Sequence, residues 1–378
     1  MSRKGPKSQR PASSRVKKRV AVSRLHKYGW RWLSLFFLTA FFLFLSGAYW
    51  LQKPLDLNMP PGQSVVDVVI PANSSAHKVV NILVDSGVQS SPRLLLWWMR
   101  LSGQTRDIRA GTYELGPGLS PYRLLEKLVT GDQALRRVII LEGWTFQQMR
   151  QALAQAEGLV HSTSNLTTEA LMDRLGMAGL HPEGRFFPDT YVYAKGSEDW
   201  VVWSQARDAL QQELKAAWEQ LPANSVLKSP EDVLKLASII EKETNHGPDR
   251  FLVSGVFHNR LRLGMKLQTD PTIIYGLGES FDGNLRRSHL RKDGPYNTYT
   301  RAGLPPTPIA LVGKAALEAA VKPAKTSALY FVSKGDGTSQ FSSTLTEHEQ
   351  AVEAFILKRR ETTPEMTVDS GSPSGPKP

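Results

Sequence analysis

Two glutamates near the end of one predicted helix have the clearest capacity for chemistry. On a helical wheel of residues 233–244, Glu243 falls inside the apolar face, one heptad after Leu236, and Glu241 falls at its edge. Burial of a carboxyl group raises its pKa and favours the protonated form near neutral pH. Such a group can act as a general acid and then, once ionised, as a base. The alternative is a helix end that turns into solvent, with both glutamates as surface charges.

Three irregular segments further along the chain supply amides, hydroxyls and aromatic rings, which bind and stack on sugars. These segments are 267–272, 296–300 and 303–308. Asp-Pro and Pro-Pro pairs also occur in ordinary turns, so turn chemistry is the competing explanation. Together with the helix, the segments predict a polar cleft beside Glu243. The predicted substrate-binding residues are Gln268, Asp270, Tyr296, Asn297 and Tyr299.

Metal and cofactor chemistry is not expected. The chain has no cysteine, which excludes disulfides and thiolate chemistry. Its eight histidines show no paired spacing such as His-x3-His, and His258 is expected to serve the helix that contains it. We therefore predict no cofactor and no metal ligand.

An uncharged apolar run, residues 33–51, is long enough to cross a bilayer at about 1.5 Å per helical residue. Before it, residues 1–31 contain eleven lysines and arginines and no acidic residue. They account for all but one unit of the net charge of +12, so the rest of the chain gives no sign of nucleic-acid binding. The positive-inside rule places the N-terminus in the cytoplasm and the body across the inner membrane, in the periplasm. A signal peptide cleaved after small residues at 46–48 is the alternative.

Strand and helix patterns predict a mixed α+β fold, with a strand–helix–helix–strand–helix unit first and a larger, more helical part after it. Asn73, Ser74 or Ser75 is expected to cap the first helix of that unit. The predicted divisions are a basic tail (1–31), a transmembrane helix (32–52), a stalk (53–61), a small α+β domain (62–135), a connecting region packed on the catalytic domain (136–200), the catalytic domain (201–360) and a disordered tail (361–378).

The order of several long motifs resembles the endolytic murein transglycosylase (MltG-like) family. The resemblance covers about 62–355 and is carried by the segments 110–113, 141–143, 183–191, 237–244, 256–261, 267–276, 296–300, 303–306 and 322–325. It implies one N-terminal membrane anchor, a domain similar to the peptidoglycan-binding LysM module over 62–132, and a catalytic domain. The catalytic glutamate of that family lies in the Glu-Lys-Glu-Thr motif, as the second acid, which here is Glu243. Glu241 is the fallback.

The resemblance also implies the reaction. Such enzymes cleave the β-1,4 bond between N-acetylmuramic acid (MurNAc) and N-acetylglucosamine (GlcNAc) without water and leave a 1,6-anhydro end. The implied partners are peptidoglycan strands, the lipid bilayer and cell-wall synthesis enzymes, with a role in limiting strand length. In that reading Asp189 and Asp270 have structural or substrate-orienting roles. Two alternatives stay open: a hydrolytic glycosidase that uses Asp270 or Glu241 as a second carboxylate, and a non-catalytic peptidoglycan-binding scaffold in the membrane.

Overall fold

The computed structural model describes residues 16–244 and 246–357, and for 16–29 it describes the backbone alone. The chain divides into two compact units, Met1–Ala134 and Leu135–Pro378, which are described separately. The predicted tail 361–378 and residues 1–15 of the predicted basic tail lie outside the described residues.

The first unit begins with helix α1, Val16–Gln52. Its part Trp30–Gln52 is long and apolar enough to cross a membrane, and none of that stretch is buried within the protein. Large apolar side chains such as Phe36 and Phe44 point outward. Length and composition alone fit both a membrane anchor and a signal sequence.

The rest of the first unit is a small α+β fold. Its elements are β1 (Asp56–Leu57), β2 (Val66–Ile70), α2 (Ala76–Asp85), β3 (Val88–Gln89), α3 (Pro92–Leu101), β4 (Gly111–Leu115) and α4 (Pro121–Thr130). Strand β2 pairs antiparallel with β4, and β1 pairs antiparallel with β3. Val68, Leu95 and Tyr113 are fully buried in the shared core. The five predicted elements, β2, α2, α3, β4 and α4, are present in the predicted order, and the short strands β1 and β3 are additional to them. Ser75 is the cap of α2.

The segment predicted as a stalk, 53–61, is instead part of this folded unit. Leu55 is buried, and its backbone N–H donates to the carbonyl of Leu119 at 2.8 Å. Strand β1 then pairs with β3, while Leu57 and Met59 pack against the core. The prolines suggested an exposed linker, but the apolar residues between them are spaced so that they reach the core.

The second unit contains two antiparallel strand pairs among nine helices in the part of the chain described. Its elements are β5 (Leu135–Ile139), α5 (Phe146–Ala154), α6 (Thr168–Arg174), β6 (Thr190–Ala194), α7 (Trp200–Trp218), α8 (Pro230–Glu243), α9 (Gly247–Arg262), α10 (Asp270–Leu277), α11 (Arg287–Arg291), α12 (Lys314–Val321), β7 (Tyr330–Ser333), β8 (Ser339–Ser342) and α13 (Leu345–Val352). β5 pairs with β6, and β7 pairs with β8. The region 136–200 therefore shares one compact unit with the helices that follow it.

Helix α8 is the central helix of the second unit and is buried on nearly all sides. Ser238 is fully buried: its hydroxyl donates to the carbonyl of Lys235 and accepts the N–H of Ile309 at 3.0 Å. On the helical wheel of residues 233–244, Ser238 falls opposite the apolar face, which predicts exposure to solvent. That prediction is wrong, because the hydroxyl group of Ser238 has two backbone partners and can therefore be buried. Glu243 lies at the end of α8, where the helix leaves this core. Its burial therefore does not come from a position on a single apolar face of the helix.

The segment 267–272, predicted to be irregular, instead runs into helix α10, and helix α11 follows before the segment 296–300. Asp270-Pro271, which we interpreted as turn punctuation, forms the first turn of α10, where proline lacks only an N–H that would have no helical partner. Helix α6 and strands β1, β3 and β8 were not predicted, because all four are short and weakly patterned.

Candidate active site

Glu243 is the last residue of helix α8 and is partly buried. The hydroxyl of Thr269 donates a short hydrogen bond to its Oε1. Loss of hydration raises the pKa of the carboxyl group to about 7, and the charge of Asp270 adds to this shift. The Thr269 hydrogen bond and the Arg260 charge act in the opposite direction without cancelling it. Glu243 is thus able to hold and release a proton near neutral pH.

Two buried threonines, Thr272 and Thr298, hold Thr269, the hydrogen-bond partner of Glu243, in place. Thr298 Oγ1 accepts the backbone N–H of Thr269 at 3.0 Å and lies 2.9 Å from Thr272 Oγ1. The hydroxyl of Thr272 also donates to the carbonyl of Thr269. Among the described residues Glu243 Oε2 has no hydrogen-bond partner. One carboxyl oxygen is therefore held in place, and the other is left for a ligand.

Glu243 lies in an open cleft of about 420 Å³, large enough for sugar rings. Polar and aromatic side chains make up most of its lining. They come from α8, α9, the start of α10, the loop before α12, strand β7 and helix α13. The lining residues are Glu243, Arg260, Leu267, Gln268, Asp270, Tyr299, Tyr330, Phe331, Leu345 and His348.

Three of the five predicted substrate-binding residues lie in this cleft with Glu243. Gln268 has a left-handed backbone (φ 49°), and its Oε1 accepts from Arg260 at 3.3 Å. Asp270 accepts the hydroxyl of Tyr299 at 2.6 Å. The fold thereby brings these three residues together from two segments about 30 residues apart.

The other two predicted residues have structural positions instead. The buried amide of Asn297 donates to the carbonyls of His289, Leu290 and Lys292. Its Oδ1 accepts backbone N–H groups of the loop that follows, so every polar atom is used within the protein. Asn297 borders a separate groove of about 250 Å³ rather than the Glu243 cleft.

Tyr296 also turns away from the cleft. Its hydroxyl bonds to that of Thr307 at 2.8 Å, and its ring packs edge-on against Tyr275 with the ring centroids 5.0 Å apart. The sequence motif was correctly read as rich in polar groups, but polar groups of this kind are needed equally by loops that must satisfy their own backbone.

Sequence reasoning missed Arg260, Tyr330 and His348 as cleft residues. Arg260 is 7 % exposed. Its guanidinium group donates to the carbonyls of Leu329 and Leu267 and lies 5.1 Å from the ring centre of Tyr330. The rings of Tyr330 and His348 stack at 5.2 Å. Arg260 stands within a motif that supported the family resemblance, whereas nothing in the local sequence around 330 or 348 indicates proximity to residue 243.

The fallback residue, Glu241, does not line the cleft. It is buried and accepts the N–H of Gly313 at 3.0 Å and a guanidinium N–H of Arg250 at 3.3 Å. Burial raises its pKa, and these two partners oppose the rise in part. Through these two hydrogen bonds Glu241 links α8 to Arg250 on α9 and to Gly313, the residue before α12.

Glu183 is a second buried carboxyl that sequence reasoning missed. Burial raises its pKa to about 7, and it accepts the N–H of Phe146 at 3.0 Å and interacts with Tyr275. It is absent from the cleft lining. Asp189, for which we predict a structural or substrate-orienting role, accepts the backbone N–H of Thr190.

His258 is buried with its Nε2 2.9 Å from the carbonyl of Ala320, a structural contact between α9 and α12. Across residues 16–244 and 246–357, no group of three or more histidine or acidic side chains is arranged to hold a metal ion.

Comparison with known proteins gives one consistent result. The profile of the YceG-like family matches residues 68–354. A Bacillus subtilis protein named endolytic murein transglycosylase is 29 % identical, over 84 % of this chain and 93 % of its own length. A Streptococcus pneumoniae protein of the same name is 26 % identical, over 85 % of this chain and 65 % of its own length. The crystal structure of a YceG-like protein from Listeria monocytogenes matches with a TM-score of 0.50 and 29 % identity, covering 76 % of this chain and 98 % of that one.

Proposed function

Because this chain belongs to the YceG-like family, we propose that it is an endolytic transglycosylase. Such an enzyme cleaves MurNAc-β-1,4-GlcNAc bonds at internal positions of peptidoglycan strands. Relatives named endolytic murein transglycosylase support this class of enzyme. The observation that carries the proposal is Glu243, a carboxyl group of raised pKa in a cleft of sugar-binding size.

In the proposed reaction Glu243 acts first as an acid and then as a base. Its proton passes to the glycosidic oxygen as the bond from C1 of MurNAc to that oxygen breaks. The 6-hydroxyl of the same MurNAc attacks C1, and its proton passes to the Glu243 carboxylate. No water is consumed, and the products are a free GlcNAc 4-hydroxyl and a 1,6-anhydro ring. A nucleophile held within the substrate needs no second carboxylate to activate it.

The neighbours of Glu243 have distinct parts in this scheme. Thr269 holds Oε1, which leaves Oε2 to face the glycosidic oxygen. The positive charge of Arg260 favours the carboxylate that exists between the two proton transfers. Gln268, Asp270 and Tyr299 are proposed sugar contacts, as they supply amide, carboxylate and hydroxyl groups in the same cleft.

We propose that helix α1 anchors the protein in the inner membrane, with the N-terminus in the cytoplasm and the enzyme in the periplasm. The apolar stretch Trp30–Gln52 and the basic residues before it support this topology. A periplasmic endolytic enzyme at the membrane meets strands as they are made, so we propose cell-wall synthesis enzymes as partners and control of strand length as the role.

We further propose that the folded part of the first unit is LysM-like and binds glycan. The two-stranded antiparallel sheet of β2 and β4, which shares one core with helices α2, α3 and α4, supports this. A groove of about 520 Å³ lies between the loop after β2 and the loop before β4. Asn73, Ser74 and Arg106 line it and offer hydrogen bonds to sugar hydroxyls.

The test is the chemistry of the new reducing end. Purified glycan strands incubated with the protein should yield MurNAc ends lighter by one water molecule than hydrolytic ends, as measured by mass spectrometry. Hydrolytic ends would replace this proposal with the glycosidase alternative. Strands that are bound but not cut would favour the scaffold alternative.

A further inference from the structure

Helix α3 presents an apolar face that nothing in the described part of the chain covers. Leu94, Trp97 and Leu101 lie three and four residues apart, so they share one side of the helix, and they are 53 %, 72 % and 74 % exposed. The opposite side, with Leu95 and Met99, is buried in the core. We call the three exposed residues the α3 face.

The folded core that contains helix α3 begins directly at the point where α1 leaves its apolar stretch. Trp50, in the last turn of α1, packs against the core of the first unit. The backbone N–H of Leu55 donates to the carbonyl of Leu119, just before α4. The four residues that separate Leu55 from Leu51 span at most about 14 Å. A bilayer has about 5–7 Å of headgroup region on each side of its hydrocarbon core, so α4 begins at or just beyond that region.

Helix α3 is next to this start of α4. Tyr122, in the first turn of α4, is 53 % exposed, and its ring centre lies 6.4 Å from that of Trp98 on α3. A continuous set of contacts therefore joins the membrane end of α1, the first turn of α4 and helix α3. No free linker intervenes that would let the unit move away from the bilayer.

We propose that the α3 face lies on the bilayer surface, in the headgroup layer from which α1 emerges. Tryptophan and leucine are suited to that layer, and an amphipathic helix binds there by burying such a face. Arg93 and Arg100, exposed on the same helix, can extend to lipid phosphates. A glycan would gain less binding free energy from this face, because its two leucines offer no hydrogen bond to sugar hydroxyls. The inference rests on the proposed membrane anchoring.

The cysteine-free chain allows a direct test with single labels. Full-length Leu101→Cys and Trp97→Cys proteins, each carrying a fluorophore, are reconstituted into phosphatidylethanolamine–phosphatidylglycerol vesicles with nitroxide-labelled headgroups or acyl chains. We expect both labels to be quenched several-fold by headgroup nitroxide. Phe44→Cys reports the anchor and should be quenched by acyl-chain nitroxide. Val69→Cys in the first unit and Leu180→Cys in the second are exposed controls that should stay bright.

Each other outcome is decisive. Bright labels at 97 and 101 with a quenched label at 44 would overturn the inference and leave the anchoring intact. An unquenched label at 44 would refute the anchoring and the inference together. Equal quenching at 69 and 101 would refute this face as the contact. A response of the 101 label to glycan strands in nitroxide-free vesicles, without lipid quenching, would assign the face to glycan instead.

Discussion

Glu243 combines two conditions that a single acid–base catalyst needs: a raised pKa and a carboxyl oxygen with no hydrogen-bond partner among the described residues. Both arise because α8 ends as it leaves the core, so the carboxyl is poorly hydrated yet borders an open cleft. The sequence pattern and the family motif both pointed to this residue. Thr269 and Arg260 lie in segments that carry the family resemblance, but neither was assigned a contact with Glu243, because only the folded chain brings these segments together.

The pH dependence of catalysis should show one limb. The free enzyme needs protonated Glu243, whose pKa is raised to about 7, so kcat/KM should fall tenfold per pH unit above that value. Initial rates on purified glycan strands between pH 5 and 9 measure this. A second, acidic limb would indicate a required ionised carboxylate and would favour the hydrolytic alternative.

Glu243→Gln should stabilise the protein in alkaline solution. The pKa of Glu243 is raised from 4.5 to about 7 in the folded state. Its contribution to the free energy of unfolding is therefore fully present below pH 4.5 and is lost as pH rises through about 7. Glutamine cannot ionise and avoids that loss. We expect about 2 kcal/mol higher unfolding free energy at pH 8, after allowing for partial exposure, and no difference at pH 4. Thermal melts of the detergent-solubilised proteins at both pH values measure this, and a variant less stable at pH 8 would contradict it.

At the scale of elements, loop 294–301 and helices α10 and α11 bring the cleft residues together. The existence of most helices and strands followed from hydrophobic periodicity, including α8 in the second unit and β2, α2, α3, β4 and α4 in the first. Helices α10 and α11 did not, because proline and polar residues in 264–308 suggest loops. The same ambiguity placed Asn297 among the sugar contacts, although its side chain serves the backbone.

Asn297→Ala should therefore affect stability rather than substrate affinity. Removing a buried amide with three backbone acceptors should cost about 3 kcal/mol of unfolding free energy. The KM of the folded fraction should stay within about twofold of the wild-type value. Asn297→Asp is the matched control, because it keeps the acceptor for Tyr299 and Thr300 and loses the donors. An unchanged melting temperature with a raised KM would show that Asn297 contacts substrate.

At the scale of the whole molecule, the sequence was sufficient to predict an apolar N-terminal helix followed by α+β units. It was not sufficient for the segment 53–61, whose prolines suggested a stalk. Leu55 and Leu57 belong to the core and to a strand pair, contacts that no local pattern specifies. The cleft likewise draws Tyr330 and His348 from the far end of the chain.

The proposed anchor predicts how the protein fractionates. Since the apolar stretch Trp30–Gln52 would remain in the bilayer, the full-length chain should sediment with membranes and resist extraction by alkaline carbonate. N-terminal sequencing of the mature protein checks the alternative. A soluble form beginning near residue 48 would show that the helix is a cleaved signal.

The most direct test of the account compares two glutamates on the same helix. Release of 1,6-anhydroMurNAc ends from purified glycan strands is measured for the wild type, Glu243→Gln and Glu241→Gln, with folding checked by circular dichroism. Removing the acid–base group should lower the rate of Glu243→Gln by at least about 10³-fold while glycan binding persists. Folded Glu241→Gln should retain most of its activity, because Glu241 is bonded to Gly313 and Arg250 away from the cleft. A normal rate for Glu243→Gln would contradict the account.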